Sequence, residues 1–173
     1  METEKPSIKP IAYSYGLYLA LVSIVMLVIM YVANIQKSWP LSIISILLTV
    51  LVFVYGIKAY KQKNNGFLSL GDAIKVGLAI AVIGGIIAAI YSYIHYSYIY
   101  PEFVEITKDQ ARTQMLNSNP DMTEAQIEQA MKISGMFTTP LFFSFMSVIG
   151  SLFMGLIISL IAGLVMKKEN THA

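Results

Sequence analysis

Four stretches of this 173-residue chain, at positions 10–36, 38–57, 76–101 and 133–166, contain no Lys, Arg, Asp or Glu. An α-helix rises about 1.5 Å per residue, so about 20 apolar residues cross a hydrocarbon core of about 30 Å, and each stretch meets that length. The sequence therefore predicts an all-α integral membrane bundle of four transmembrane helices, with spans at about 11–33, 40–59, 73–98 and 140–166. Residues 101–139, between the third and fourth spans, form the remaining sizeable piece and read as an extracytoplasmic helical hairpin.

Hydrophobic residues make up 56% of the chain and charged residues 13%, a balance that fits a membrane protein. The spans use most of the length, so residues 1–173 are expected to form a single membrane domain. The net charge of +2 points to no class of partner, and no nucleic acid is expected. The absence of cysteine removes disulfides, thiol nucleophiles and cysteine-based metal sites, and leaves either redox compartment open. The first apolar segment is too long for a signal-peptide core, and the tail before it mixes Glu2 and Glu4 with Lys5 and Lys9. It reads as a retained signal anchor, with cleavage after Ala33 as the alternative.

Orientation follows from the basic residues. In a four-span arrangement one side receives Lys5, Lys9, Lys58, Lys61, Lys63, Lys75, Lys167 and Lys168. The other receives Lys37, Lys108, Arg112 and Lys132, together with most of the acidic residues. Both termini are therefore expected in the cytoplasm. Aromatic rings settle at headgroup depth and agree with these boundaries: Tyr13, Tyr15, Tyr55 and Tyr60 on the inner side, Tyr31, Trp39, Tyr96, Tyr98 and Tyr100 on the outer.

Local chemistry marks the span ends. Pro40 and Pro140 suit the first turns of the second and fourth spans, where a missing amide donor is harmless. Asp72 is expected to cap the third span, and Lys75, one turn further in, to anchor it by snorkelling. An ion-handling role for that pair is the rival reading. Within the spans, Ala73, Gly77, Ala81, Gly85 and Ala89 recur at a spacing of four, as do Ser147, Ser151, Gly155, Ser159 and Gly163. Small residues at that spacing let helix backbones approach closely in lipid, so these ladders are the candidate helix-packing residues of spans three and four. A homodimer contact and a substrate-lining role are the alternatives.

In the hairpin, Pro101 opens a first helix, a turn spans Asn117 to Asp121, Thr123 and Gln126 make a capping box for a second helix, and Gly135 is expected to end it. Its apolar positions include Phe103, Ile106, Met115, Ile127 and Met131, the candidate contacts for a membrane or periplasmic protein partner, with the flexible Met136 beside them. A hairpin that caps the bundle, or a mobile lid, would use the same faces.

Catalytic machinery is not in view. The chain has no glycine-rich phosphate loop, paired-histidine metal motif or G-x-S-x-G elbow, so no enzymatic activity and no cofactor are expected. Ion and proton carriers place ionisable groups at membrane depth, and the span centres hold none. His95 stands among tyrosines near the outer boundary and reads as an interfacial ring; His172 falls in the tail. The Gly84 and Gly85 pair is accounted for by close packing.

The run Phe67, Leu68, Ser69, Leu70, Gly71, Asp72, Ala73, Ile74, Lys75, Val76, Gly77 at the start of the third span, with Tyr100, Pro101, Glu102 and Phe103 after it, resembles an uncharacterised family of bacterial inner-membrane proteins, the domain of unknown function numbered 4199. The resemblance covers nearly the whole chain. It implies a Gram-negative inner-membrane location and no established activity, and it carries over no catalytic or binding residue. The residues themselves leave two main function classes, and a third, a membrane enzyme acting on lipid, that rests on fold size alone. One is a non-enzymatic structural or interaction protein, embedded in the lipid bilayer, with the hairpin as its contact surface. The other is a subunit of a small carrier or channel, which would have to form a homo-oligomer and line its path with Ser45, Thr49, Ser92, Ser147 and Ser151.

Overall fold

The structure is a computed structural model that describes residues 5–35 and 38–168; Glu2, Glu4, Lys37 and His172 lie outside the described residues. Among the described residues the chain is all-α. Its helices are α1 (Lys9–Val32), α2 (Trp39–Lys63), α3 (Leu70–Ile94), α4 (Glu102–Ser118), α5 (Glu124–Met136) and α6 (Pro140–Met166). A five-residue π-helical turn, His95–Ile99, continues α3. α1, α2, α3 with its π-turn, and α6 are long and apolar enough to cross a membrane, and the short α4 and α5 stand between the third and fourth of them. This is the architecture of a multi-pass membrane protein.

Local chemistry explains the helix limits. Ser38 caps α2, its hydroxyl accepting from the Leu41 amide, with Pro40 in the first turn. Thr139 does the same for α6 through the Phe142 amide, ahead of Pro140. Thr123 and Gln126 exchange both hydrogen bonds of a capping box at the start of α5. α5 runs to Met136, one residue past Gly135, and α4 to Ser118, so the turn between them begins later than the Asn and Pro residues suggest. Between α2 and α3 the chain reverses through Asn65 and Gly66, both at positive φ, with the Gly66 amide donating back to the Lys61 carbonyl. Gly66 at φ +81° occupies a conformation that other residues rarely adopt.

One correction concerns the start of α3. The helix begins at Leu70, and the cap is Ser69: its hydroxyl accepts from the Asp72 amide at 3.1 Å. Asp72 lies in the first turn instead and accepts from the Ser69 hydroxyl at 2.6 Å. The pattern Ser69-Leu70-Gly71-Asp72 places the short hydroxyl before the turn and the carboxylate within it, where the free amides and the helix dipole favour a negative charge.

The chain divides into two compact units, one running to Ala88 and resuming at Val148, the other Ala89–Ser147. In the first unit Phe53, Ile57, Tyr60, Leu68, Ala73, Val76, Ile80 and Ala81 form the centre of the core, all at most 1% exposed. Tyr60 thus lies inside the core of this unit. In the second unit α4 packs against α5, and an aromatic cluster joins the π-turn, α4 and the start of α6. There Tyr96 stacks on Phe103 with centroids 4.7 Å apart, and Phe143 meets both rings edge-on. His95 is 1% exposed, ringed by Tyr91, Tyr96 and Tyr100, so it is a core residue of this unit and not a water-facing interfacial ring.

Candidate functional site

Small residues determine how the helices of the first unit meet. On α3 and α6 the ladders run antiparallel in register. A Cβ on Gly163 would stand 2.9 Å from that of Ala73, and one on Gly155 would stand 2.8 Å from that of Ala81. One on Gly77 would overlap the Ser159 hydroxyl, and one on Gly85 would reach the Ser151 Cβ at 3.0 Å. Each step of four forward on α3 is a step of four back on α6. Ser151 donates across to the Ala81 carbonyl at 3.0 Å, whereas Ser159 donates back to the Gly155 carbonyl of its own helix. Ala89 and Ser147, the remaining ladder positions, are half-buried in the second unit.

A further contact stands on another side of α3. A Cβ on Gly84 would lie 2.8 Å from the Gly16 carbonyl oxygen of α1, and one on Gly16 would lie 2.7 Å from the Ile83 side chain. Ala12, Gly16 and Ala20 are all buried, a third series at a spacing of four that the sequence reading passed over and that the same pattern would have found.

Around the start of α3 a polar junction ties together distant parts of the first unit. Asp72, 5% exposed, accepts from the Lys5 ammonium at 3.0 Å on each carboxylate oxygen and from Ser69. The Lys5 side chain remains 64% exposed, so the cation is wet and the anion is not. Asp72 holds the Lys5 ammonium above its ordinary pKa, first by hydrogen bonding and then by attraction. Nearby, Lys61 donates to the Met166 carbonyl at 2.7 Å and so satisfies one orphan acceptor at the end of α6. Leu68 and Lys168 exchange a pair of backbone hydrogen bonds at 2.9 and 3.0 Å. Lys75 is exposed on α3, one turn beyond Asp72. Sequence reasoning missed Lys5 and Ser69. The Ser-x-x-Asp spacing is a visible signal for Ser69, but nothing local marks a partner 67 residues away.

In the second unit the five residues read as partner contacts are covered to different degrees. Ile127 is 7% exposed, and Phe103, Ile106, Met115 and Met131 are half-buried. Phe103 belongs to the aromatic cluster with Tyr96 and Phe143, and Ile106 borders an open groove on α4. The exposed face of α4 is mostly polar apart from Leu116, and the open groove on it is bordered by Ile106, Asp109, Thr113, Gln114 and Asn117. Arg112 and Glu124 bridge the helices at 3.6 Å, both well exposed.

What this arrangement can do chemically is to fix backbones and neutralise one buried carboxylate. Among the described residues no group of three His, Asp or Glu side chains could hold a metal ion.

The model of one protein family, described as a protein of unknown function (DUF4199), matches residues 14–168. No curated protein and no solved structure matches the chain.

Proposed function

The chain belongs to the DUF4199 family, and from that premise we propose that it is a non-enzymatic interaction protein of the bacterial inner membrane. On this reading both termini are cytoplasmic, and the α4–α5 hairpin is the extracytoplasmic contact surface for a protein partner. The observation that carries the reading is the filled centre of the first unit. Phe53, Ile57, Ile80 and Ser159 are fully buried where the small residues of α3 bring α1 and α6 to backbone distance, a construction suited to a fixed support. The orientation is supported by the junction, which gathers Lys5, Lys61 and Lys168 near the start of α1 and the ends of α2 and α6. On this reading the contact surface is the side of α4 that borders the open groove, around Asp109, Thr113, Gln114 and Asn117.

Purification in polymer discs, with wild type beside a Thr113→Lys/Asn117→Lys variant, tests this. The expected result is a protein that co-purifies with wild type in constant ratio and is lost from the variant. A partner retained by the variant, or a particle of this chain and lipid alone, overturns it and turns attention to an oligomeric carrier.

A further inference from the structure

Between Glu102 and Lys132 the only large apolar side chain that is well exposed is Leu116. The exposed residues of α5 up to that point include Glu124, Gln126, Glu128, Gln129 and Lys132. Then the surface changes abruptly. Ile133 is 55% exposed, Met136 73% and Phe137 53%, and α6 opens with Leu141 at 70% and Phe145 at 60%. The change occurs along the helix axis and not around it: the first turns of α5 are polar outside, and the last turn is apolar outside, on the side of the chain that leads into a membrane-spanning helix. Four exposed apolar residues, 133, 137, 141 and 145, follow one another at steps of four across the junction of α5 and α6.

A folded protein does not leave such a run in water without a reason. A protein partner would select a face of α5, whereas a bilayer selects a depth, and depth is what an axial change of polarity records. The other end of the hairpin has the same character, with Tyr98 at 75% exposure in the π-turn just before the polar segment begins. The amphipathic ring of Tyr98 at one end and the exposed Ile133, Met136 and Phe137 at the other mark the level at which headgroups meet acyl chains. Lys132, adjacent to Ile133, can reach phosphate while its stem lies along the apolar surface.

We propose that the last turn of α5, with Ile133, Met136 and Phe137, is seated in the headgroup and acyl boundary of the bilayer, so that the chain returns to lipid about one turn before α6 begins. The partner of this surface is lipid, and the water-facing hairpin is shorter than residues 101–139. The inference rests on the multi-pass reading, and the test separates the two.

The chain has no cysteine, so single substitutions Ile133→Cys, Met136→Cys and Phe137→Cys can each carry a nitroxide label without altering a native thiol. Thr113→Cys on α4 serves as the water reference, and Phe153→Cys, 62% exposed within α6, as the lipid reference. In phosphatidylcholine bilayers the expected result is loss of collisions with a soluble nickel chelate and gain of collisions with oxygen at 133, 136 and 137, between the two references. Labels that match Thr113 overturn the inference, and so do labels shielded from both reagents, which would mean a protein covers them. If the Phe153 label itself reads as water-exposed, it is the spanning reading that fails.

Discussion

The ammonium of Lys5 lies 3.0 Å from each carboxylate oxygen of Asp72, joining the segment before α1 to the first turn of α3 across 67 positions of sequence. The two partners are unequal, because Asp72 is buried and Lys5 is mostly in water. Removing Lys5 therefore does more than delete a surface ion pair, which is worth little. It leaves a buried carboxylate held by Ser69 alone, and an under-satisfied buried charge costs about 1–3 kcal/mol. Lys5→Met is expected to lower stability by an amount in that range, measured by thermal unfolding in detergent. Lys5→Met/Asp72→Asn should recover part of the loss, since the amide oxygen still accepts from Ser69 and carries no charge. The pH dependence has a definite sign. The folded state raises the Lys5 pKa above 10.5, so the part contributed by the Lys5 ammonium beside the ionised Asp72 is complete just below that value and fades as pH climbs through the raised one. Wild type and Lys5→Met should converge in strongly alkaline solution.

The register between α3 and α6 makes a separate prediction, because the same substitution has opposite consequences at different glycines. A methyl group at Gly77 collides with the Ser159 hydroxyl, and one at Gly84 meets the Gly16 carbonyl oxygen at 2.8 Å, a backbone atom that cannot rotate away. At Gly150 and Gly135 nothing stands within 4 Å. Gly77→Ala and Gly84→Ala are expected to destabilise by about 1–3 kcal/mol through overpacking. Gly150→Ala and Gly135→Ala should be neutral or stabilising by up to about 1 kcal/mol, since glycine within a helix is less favourable than alanine. Ser159→Gly should rescue Gly77→Ala and leave Gly84→Ala unchanged. Unfolding of the purified variants in one detergent decides all of these comparisons.

Much of the fold was legible because the absence of charge over 20 or more positions is a property of the whole segment, insensitive to neighbours. Contacts were legible only where a periodic pattern encodes them. Spacing of four is visible in α3 and α6, but their relative register depends on both helices at once and on the loop between them. Ala12, Gly16 and Ala20 formed a shorter series and were easily overlooked. Asp72 stood out as the acidic residue at a helix start, and Ser69 took the cap because its hydroxyl reaches the Asp72 amide from just outside the turn. Lys5 had no local signature. Residue type suggests a depth for Tyr60 and His95 but not their burial, which depends on which rings and helices surround them; both are 1% exposed. The apolar residues of the hairpin showed that a face existed, and periodicity cannot say what covers it.

That last point changes what substitutions in the hairpin should do. Ile127 is 7% exposed beside α4, and Phe103 is stacked on Tyr96 and set against Phe143. If these side chains were docking contacts, replacing them with Ser would leave the hairpin folded and remove only a partner. In this arrangement Ile127 is buried within the second unit and Phe103 is part of the aromatic cluster that ties α4 to the π-turn and the start of α6. Truncating a buried Ile costs about 2–5 kcal/mol and a Phe about 3–5, and a two-helix hairpin has little stability to spare. Ile127→Ser and Phe103→Ser are expected to open α4 and α5 to limited proteolysis around Asn119 to Met122, while fragments containing α1, α2 and α6 stay protected by lipid. Thr113→Lys, on the exposed polar face, should leave the cleavage pattern unchanged. Equal protease resistance in all three variants would show that Ile127 and Phe103 do not hold this part together, and would return them to the surface as contacts.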